Sequence, residues 1–401
     1  MLPFDVSEYQ ARLSRVKKEM TGKGIDVLLV TDPANMNYLS GFDAWSFYVH
    51  QMLVVDLQEE QPLWIGRFMD AGAARVTTWM QDEFISGYPD TYVHSDVLHP
   101  MMYVADMLKL KGFARKRIAV EMDHYYFTAK AFMELQRELP DAAFTDGGLL
   151  VNRVRMVKSD QEIEYMKKAA RLAENAMKNG VNTIRAGNRE CDAAAMIYYH
   201  IIAGTSEGGG DYPSIVPLLP TGKNTSIPHL TWTDRTFQEG ESVIVELAGC
   251  CRRYHVPLAR TVTIGTPSTR MVTLGKVAVE GINTVLDGLR PGMTCGEAEA
   301  LWRNSISRHG FVKESRLGYS VGLNYPPDWG EHTASIRSTD RTVLKPNMTF
   351  HIIPGLWFDE DGIEISETIR ITETGCEPFT NYPRELLVNM PSTIAEQGEI
   401  S

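Results

Sequence analysis

A chain of 401 residues is longer than one hydrophobic core usually serves, which predicts two domains. Hydrophobic residues make up 43% and charged residues 23%, the balance of a soluble globular protein. The net charge of −11 argues against nucleic acid and anionic membrane surfaces as partners, because both select clustered Lys and Arg.

Residues 1–150 read as an α/β domain. The spacing of Tyr9, Leu13, Val16 and Met20 predicts a helix from Val6 to Met20. The N-terminal stretch lacks the apolar segment of a signal peptide. Asp26 to Val30 is a buried strand. Asp32-Pro33 breaks it and opens the segment Ala34 to Gly41. Strands are expected at Gln51 to Asp56, Pro62 to Gly66 and Arg117 to Glu121, and a helix at Thr128 to Leu139.

The domain boundary is expected near Val151, which makes residues 151–401 the second domain. Ser159 and Glu162 form a capping-box pattern, and Ile163, Met166, Ala170, Ala173 and Met177 continue at helical spacing. Gly204 to Gly210 is a loop. Two helices are expected within 267–310, and closing strands at Leu317 to Leu323, Met348 to Ile353 and Ile363 to Ile371. No run of eighteen apolar residues occurs, so no membrane span is predicted. Cys191, Cys250, Cys251, Cys295 and Cys376 form no CxxC pair and are odd in number, which points to a reducing cytoplasm.

The chemistry concentrates in Thr221 to Val262. Pro228-His229 comes first. A turn signal, Gln238 to Glu241, then leads into the apolar run Ser242 to Leu247, broken by Glu246. A second strand ends in Ala259-Arg260-Thr261-Val262. A carboxylate inside a β-branched run costs several kcal/mol to bury alone, so it is paired, solvated in a cleft, or functional.

This spacing resembles the pita-bread family of metallo-aminopeptidases, prolidases and creatinase-like amidinohydrolases. The resemblance spans nearly the whole chain. It implies a creatinase/prolidase-like N-terminal α/β domain (1–150) and a pita-bread catalytic domain (151–401) with two similar halves. In metal-dependent members two Asp ligands stand eleven residues apart on the strand pair; here those places hold Glu246 and Pro257. The His of Gly-His-Gly-x-Gly-Leu falls at Tyr319 in Gly318 to Leu323. The Glu of x-Ile-Glu-Pro-Gly falls at Ile353 in His351 to Gly355. The last Glu falls at Ser366. One carboxylate does not hold a divalent cation against water, so the resemblance implies neither metal nor other cofactor.

Loss of the metal suits a cationic substrate. A metal polarises a neutral carbonyl and acidifies water. An amidinium already carries positive charge at the reacting carbon, and a carboxylate attracts it by about 4 kcal/mol at about 4 Å and an effective dielectric near 20. The creatinase-like enzymes embody that solution. Two of their features are missing here: their second-strand Glu is Ala259, and residues 41–51 hold no Phe-x-Arg clamp. The segments Trp45 to Gln51, Asp211 to Gly222, Cys250 to Val262 and Asp328 to His332 instead resemble the branch of the family that hydrolyses the zwitterionic cyclic amidine ectoine. The expected reaction is ring opening to N-acetyl-2,4-diaminobutanoate, with hydroxyectoine as a second candidate substrate.

By this resemblance Glu246 is the nucleophile or general base; the alternative is a salt bridge to Arg252, Arg253 or Arg260. His229 passes a proton to the departing ring nitrogen; the alternative is a His satisfied in a turn. His255, Tyr319, Glu331 and His332 are candidate pocket residues, and Trp45, Phe47, Tyr48 and Trp329 candidate walls for the flat ring, with ordinary packing as the alternative for each. A homodimer is expected, because in the family the small domain reaches the neighbouring active site. A deacetylase would act downstream on the product. The competing functions are hydrolysis of another guanidino or amidino acid, and a catalytically inactive binding module.

Overall fold

The computed structural model describes residues 2–390, and the chain folds as two compact units that divide between Arg155 and Met156. No helix among the described residues is long and apolar enough to cross a membrane.

In the first unit, α1 (Val6–Gly22) buries the predicted face of Tyr9, Leu13, Val16 and Met20. The strand β1 (Val27–Val30) follows, then α2 (Pro33–Ser40). Asp32 does more than break the strand. Its carboxylate accepts from the Ala34 N–H at 3.0 Å and caps α2, with Pro33 in the first turn and Gly41 (φ 86°) closing the other end. The chain continues through β2 (Met52–Asp56), β3 (Leu63–Arg67), α3 (Ala71–Thr77), β4 (Ile85–Tyr88), α4 (Pro100–Leu110), β5 (Arg117–Val120), α5 (Ala129–Glu138) and β6 (Ala143–Asp146). The six strands form one sheet in the order β4-β3-β2-β1-β5-β6. β2 runs antiparallel to both its neighbours, and the remaining pairs are parallel. A final helix, α6 (Leu150–Arg155), buries Leu150 and Val151, and Asn152 accepts from Asn35 at 2.8 Å. That anchoring moves the division a few residues past the expected boundary at Val151.

The second unit repeats one plan: a helix pair, then strands. In the first half α7 (Asp160–Thr183) opens with the predicted capping box, Ser159 with Glu162, and α8 (Glu190–Ala203) follows. The long hairpin β7 (Ser242–Cys251) and β8 (Tyr254–Ile264) packs on them. In the second half α9 (Thr269–Gly288) and α10 (Cys295–Ser307) precede β9 (Gly318–Val321), β10 (Gly330–Ile336), β11 (Thr349–Ile352), β12 (Gly355–Trp357), β13 (Gly362–Glu364), β14 (Glu367–Ile371), β15 (Cys376–Pro378) and β16 (Leu387–Asn389). The sheets run β16-β8-β7, β10-β9-β11-β14-β15 and β12-β13.

The expected single strand Ile363 to Ile371 is two. β13 pairs with β12, and β14 leaves it to pair with β11. At the break the Ser366 N–H donates to the Ala259 carbonyl on β8, so the chain changes partner there instead of continuing one ladder.

Candidate active site

Strand alternation places Glu246. Along β7, Val243, Val245 and Leu247 turn toward the helices and join the core formed with Ala173, Met177 and Ile197. Glu246 therefore projects from the other face. Its register partner on β8 is Ala259, a small residue where the creatinase-like enzymes carry a Glu. Close helix packing fixes the strand: a Cβ at Gly249 would collide with the Ala169 carbonyl of α7.

Glu246 is buried and its charge is uncompensated. The salt-bridge alternative fails. Arg260 gives its guanidinium to Glu367 at 2.6 Å, and Glu246 forms no ion pair among the described residues. Burial, and then the neighbouring Glu364 and Asp328, push its carboxyl well above the usual carboxylate range.

Two neighbours were not expected from the sequence. One ligand-type atom from each of Glu246, His351 and Glu364 lies within 4.8 Å of the others, and all three side chains are buried. His351 and Glu364 stand two residues before the family ligand places Ile353 and Ser366. Glu246 is thus not the lone carboxylate that the spacing implied. Burial raises the Glu364 carboxyl as well, with Lys313 opposing the shift. Lys313 is partly buried, and its ammonium donates to the Ile353 carbonyl.

Apart from Glu246, the family's ligand places hold no carboxylate or imidazole. The Pro257 carbonyl accepts from the Thr368 hydroxyl at 2.7 Å, and Ile353 is apolar. Ser366 Oγ accepts the Ala259 N–H at 2.7 Å and bonds His351 Nε2 at 2.7 Å. Tyr319 Oη accepts from Trp329 Nε1 at 2.7 Å and bonds His351 Nδ1 at 3.2 Å. Both His351 nitrogens are therefore engaged by protein groups. Burial, with Arg316 and Lys313 nearby, pulls its pKa down to about 3, so the ring is neutral. Glu246, His351 and Glu364 bring donor atoms close enough together for a metal ion, but hydroxyls of Ser366 and Tyr319 already bond both His351 nitrogens, so the group presents a pair of carboxyls backed by hydrogen-bonded neutral rings.

The other candidates separate by location. Tyr319 and Trp329 lie in this network. Burial and Glu246 hold the Tyr319 phenol protonated, and the Arg316 guanidinium lies 4.2 Å from its ring centroid. His332 bonds Asp328 at 2.7 Å and is partly exposed. Glu331 is a correction. It is buried in a two-pronged salt bridge with Lys158 at 2.7 and 2.8 Å, so it braces the fold instead of lining the pocket. His255 is a second correction. Its Nε2 takes the Ser214 N–H at 2.9 Å, and its Nδ1 lies 3.4 Å from the Gly322 carbonyl, which leaves neither nitrogen for a ligand.

His229 sits exposed in the loop before β7 with φ 73° and makes no hydrogen bond among the described residues. Its loop is tied toward the site: Leu219 donates to the carbonyl of Leu230, and Leu218 bridges Glu246 in both directions. Trp45, Phe47 and Tyr48 belong to the first unit. There the Trp45 and Phe47 rings lie 4.9 Å apart, Trp45 and Tyr48 are exposed, and Phe47 and Tyr48 help line a cavity of about 300 Å³ with Tyr88 and Tyr126.

Residues 12–157 match the profile of the creatinase/prolidase N-terminal domain, and residues 164–373 that of metallopeptidase family M24. An ectoine hydrolase of Halomonas elongata is 45% identical over 394 residues, spanning 96% of this chain and 98% of its own. A hydrolase/peptidase of Sinorhizobium fredii is 47% identical over 388 residues, 97% of this chain and 99% of its own. Among solved structures, an Xaa-Pro dipeptidase from Bacillus anthracis superposes with TM-score 0.81 at 21% identity, covering 95% of this chain and all of the other, which establishes likeness of fold.

Proposed function

The chain belongs to metallopeptidase family M24, with a creatinase/prolidase N-terminal domain ahead of its pita-bread domain, and from that premise we propose that it hydrolyses the cyclic amidine ring of ectoine to N-acetyl-2,4-diaminobutanoate without a metal. The observation that carries the reading is a buried, unpaired Glu246 where the family frame places a metal ligand. An amidinium supplies the counter-charge that this carboxylate lacks, and its carbon is already polarised for attack. The 45% identity to the Halomonas elongata ectoine hydrolase supports the same substrate.

In this mechanism Glu246 attacks the amidine carbon or deprotonates the water that does. His229 delivers a proton to the departing ring nitrogen when its loop closes on substrate. Tyr319 and Trp329 hold the flat ring from the second unit, His332 borders it, and the aromatic group Trp45, Phe47 and Tyr48 contributes from a partner subunit in a cytoplasmic homodimer. The product, an N-acetyl amine, is a substrate for a deacetylase.

Proton NMR of ectoine incubated with the protein, with and without excess EDTA, tests this. Ring opening at equal rates in both is expected. Loss of turnover in EDTA, restored by added metal, would show that the metal-free reading is wrong. Turnover of creatine instead of ectoine would select the amidinohydrolase alternative.

A further inference from the structure

Glu364 has no part in the mechanism above, yet it is the most exceptional carboxylate near Glu246. Its side chain is buried, and its Oε1 has no hydrogen-bond partner among the described residues. A buried oxygen left unsatisfied costs free energy unless something else fills its place. The backbone around it is fully committed: the Glu364 N–H donates to Thr261 Oγ1, and that hydroxyl donates back to the Glu364 carbonyl. The strand is thus held rigidly while the carboxyl end is left open toward Glu246 and His351. Lys313, the cation whose charge bears on Glu364, donates to the Ile353 carbonyl and forms no ion pair with Glu364.

We propose that Glu364 is the second carboxylate of a clamp for a planar amidinium. One amidine N–H donates to Glu364, which positions the amidine carbon against Glu246. The inference rests on the reading of the substrate as a cyclic amidine and adds to it the residue that recognises the cation. The ligand chemistry follows from what the cluster offers. Two carboxyls with in-plane lone pairs suit the N–C–N edge of an amidinium, a flat cation with directional N–H groups. A divalent metal would need more oxygen donors or an imidazole, and the His351 nitrogens are already bonded to Ser366 and Tyr319. Two carboxylates this close repel each other when both are ionised, and a cation between them relieves that repulsion.

Acetamidinium and its neutral analogue acetamide probe the clamp directly, by calorimetric titration into the full-length protein. The wild-type protein should bind acetamidinium and ignore acetamide. Glu364→Gln should lose acetamidinium affinity at least tenfold and raise KM for ectoine by more than it lowers kcat, while melting at the same or a higher temperature. Glu364→Asp, which keeps the charge, should recover part of the affinity.

Three outcomes of the binding and folding measurements would overturn the clamp. One is no acetamidinium binding by the wild-type protein. Another is an unchanged acetamidinium Kd in folded Glu364→Gln. The third is a Glu364→Gln protein that unfolds and regains both fold and amidinium binding when Lys313→Met is added, which would make Glu364 only a partner for Lys313. The substrate reading fails separately. Glu364-dependent acetamidinium binding by a protein that does not turn over ectoine would keep the clamp and discard ectoine. Ectoine turnover with KM unchanged in Glu364→Gln would discard the clamp alone.

Discussion

Charge burial separates the acidic residues of the second unit into two kinds. Glu331 is buried with its partner, whereas Glu246 and Glu364 are buried without one. Removing the carboxylate of Glu331 takes the two-pronged partner from a buried cation, Lys158, so Glu331→Gln should cost about 3–5 kcal/mol of stability. Urea denaturation should show that loss with KM for ectoine little changed in the folded fraction; a large KM effect at normal stability would return Glu331 to the pocket. The Glu246–Glu364 pair behaves oppositely with pH. Both carboxyls have folded pKa values raised above their unfolded values by burial and proximity. The native state therefore binds protons that the unfolded state has released. The stability contributed by the pair is fully present below the unfolded carboxylate range and is lost as pH rises through the folded values. Glu364→Gln should accordingly raise Tm at pH 8, by roughly 2 °C for each ~1 kcal/mol in a domain of this size, and the gain should shrink toward pH 5. A gain that grows on acidification would contradict the like-charge account.

The hairpin of β7 and β8 owes its position to the helix behind it. Because the Gly249 Cα lies against the backbone of α7, Gly249→Ala should force strand and helix apart and cost about 1–3 kcal/mol. The displacement should also lower kcat, since Glu246 rides on the same strand; a variant with wild-type Tm would show that the close approach is relieved elsewhere. The sequence was most legible at this scale. Alternation along Ser242 to Leu247 exposed Glu246 as an intruder, and the Ser159–Glu162 box marked the start of α7. Glu364 carried the same signal, a carboxylate between Ile363 and Ile365. It was hidden because the family frame directs attention to Ser366, and because Ile363 to Ile371 reads as one strand. The change of partner between β13 and β14 is a tertiary event: the Ser366 N–H finds Ala259 on β8, more than a hundred residues away in sequence. His351 opens the framework of the Ile353 place, and the family pattern assigns it no role of its own. His255 and Glu331 misled for a related reason, since spacing alone cannot show that Ser214, Gly322 and Lys158 already occupy their polar atoms.

For the whole molecule, the two-unit plan and the family follow from motifs in order along nearly the entire chain. The proposed homodimer gives the exposed aromatics Trp45 and Tyr48 of the first unit a role at a neighbouring site. Sedimentation should find a dimer, and Trp45→Ala should raise KM for ectoine with little change in Tm; a fully active monomer would remove that role. The central claim is that Glu246 carries the reaction, and the most direct measurement is the kcat of Glu246→Gln on ectoine. Gln nearly preserves volume and removes the reactive oxyanion. A nucleophile or general base lost in this way costs roughly 10² or more in rate. The account predicts a folded protein, as stable as wild type or more so at neutral pH, that turns over ectoine at least about a hundredfold more slowly. Near-normal kcat in folded Glu246→Gln would contradict it.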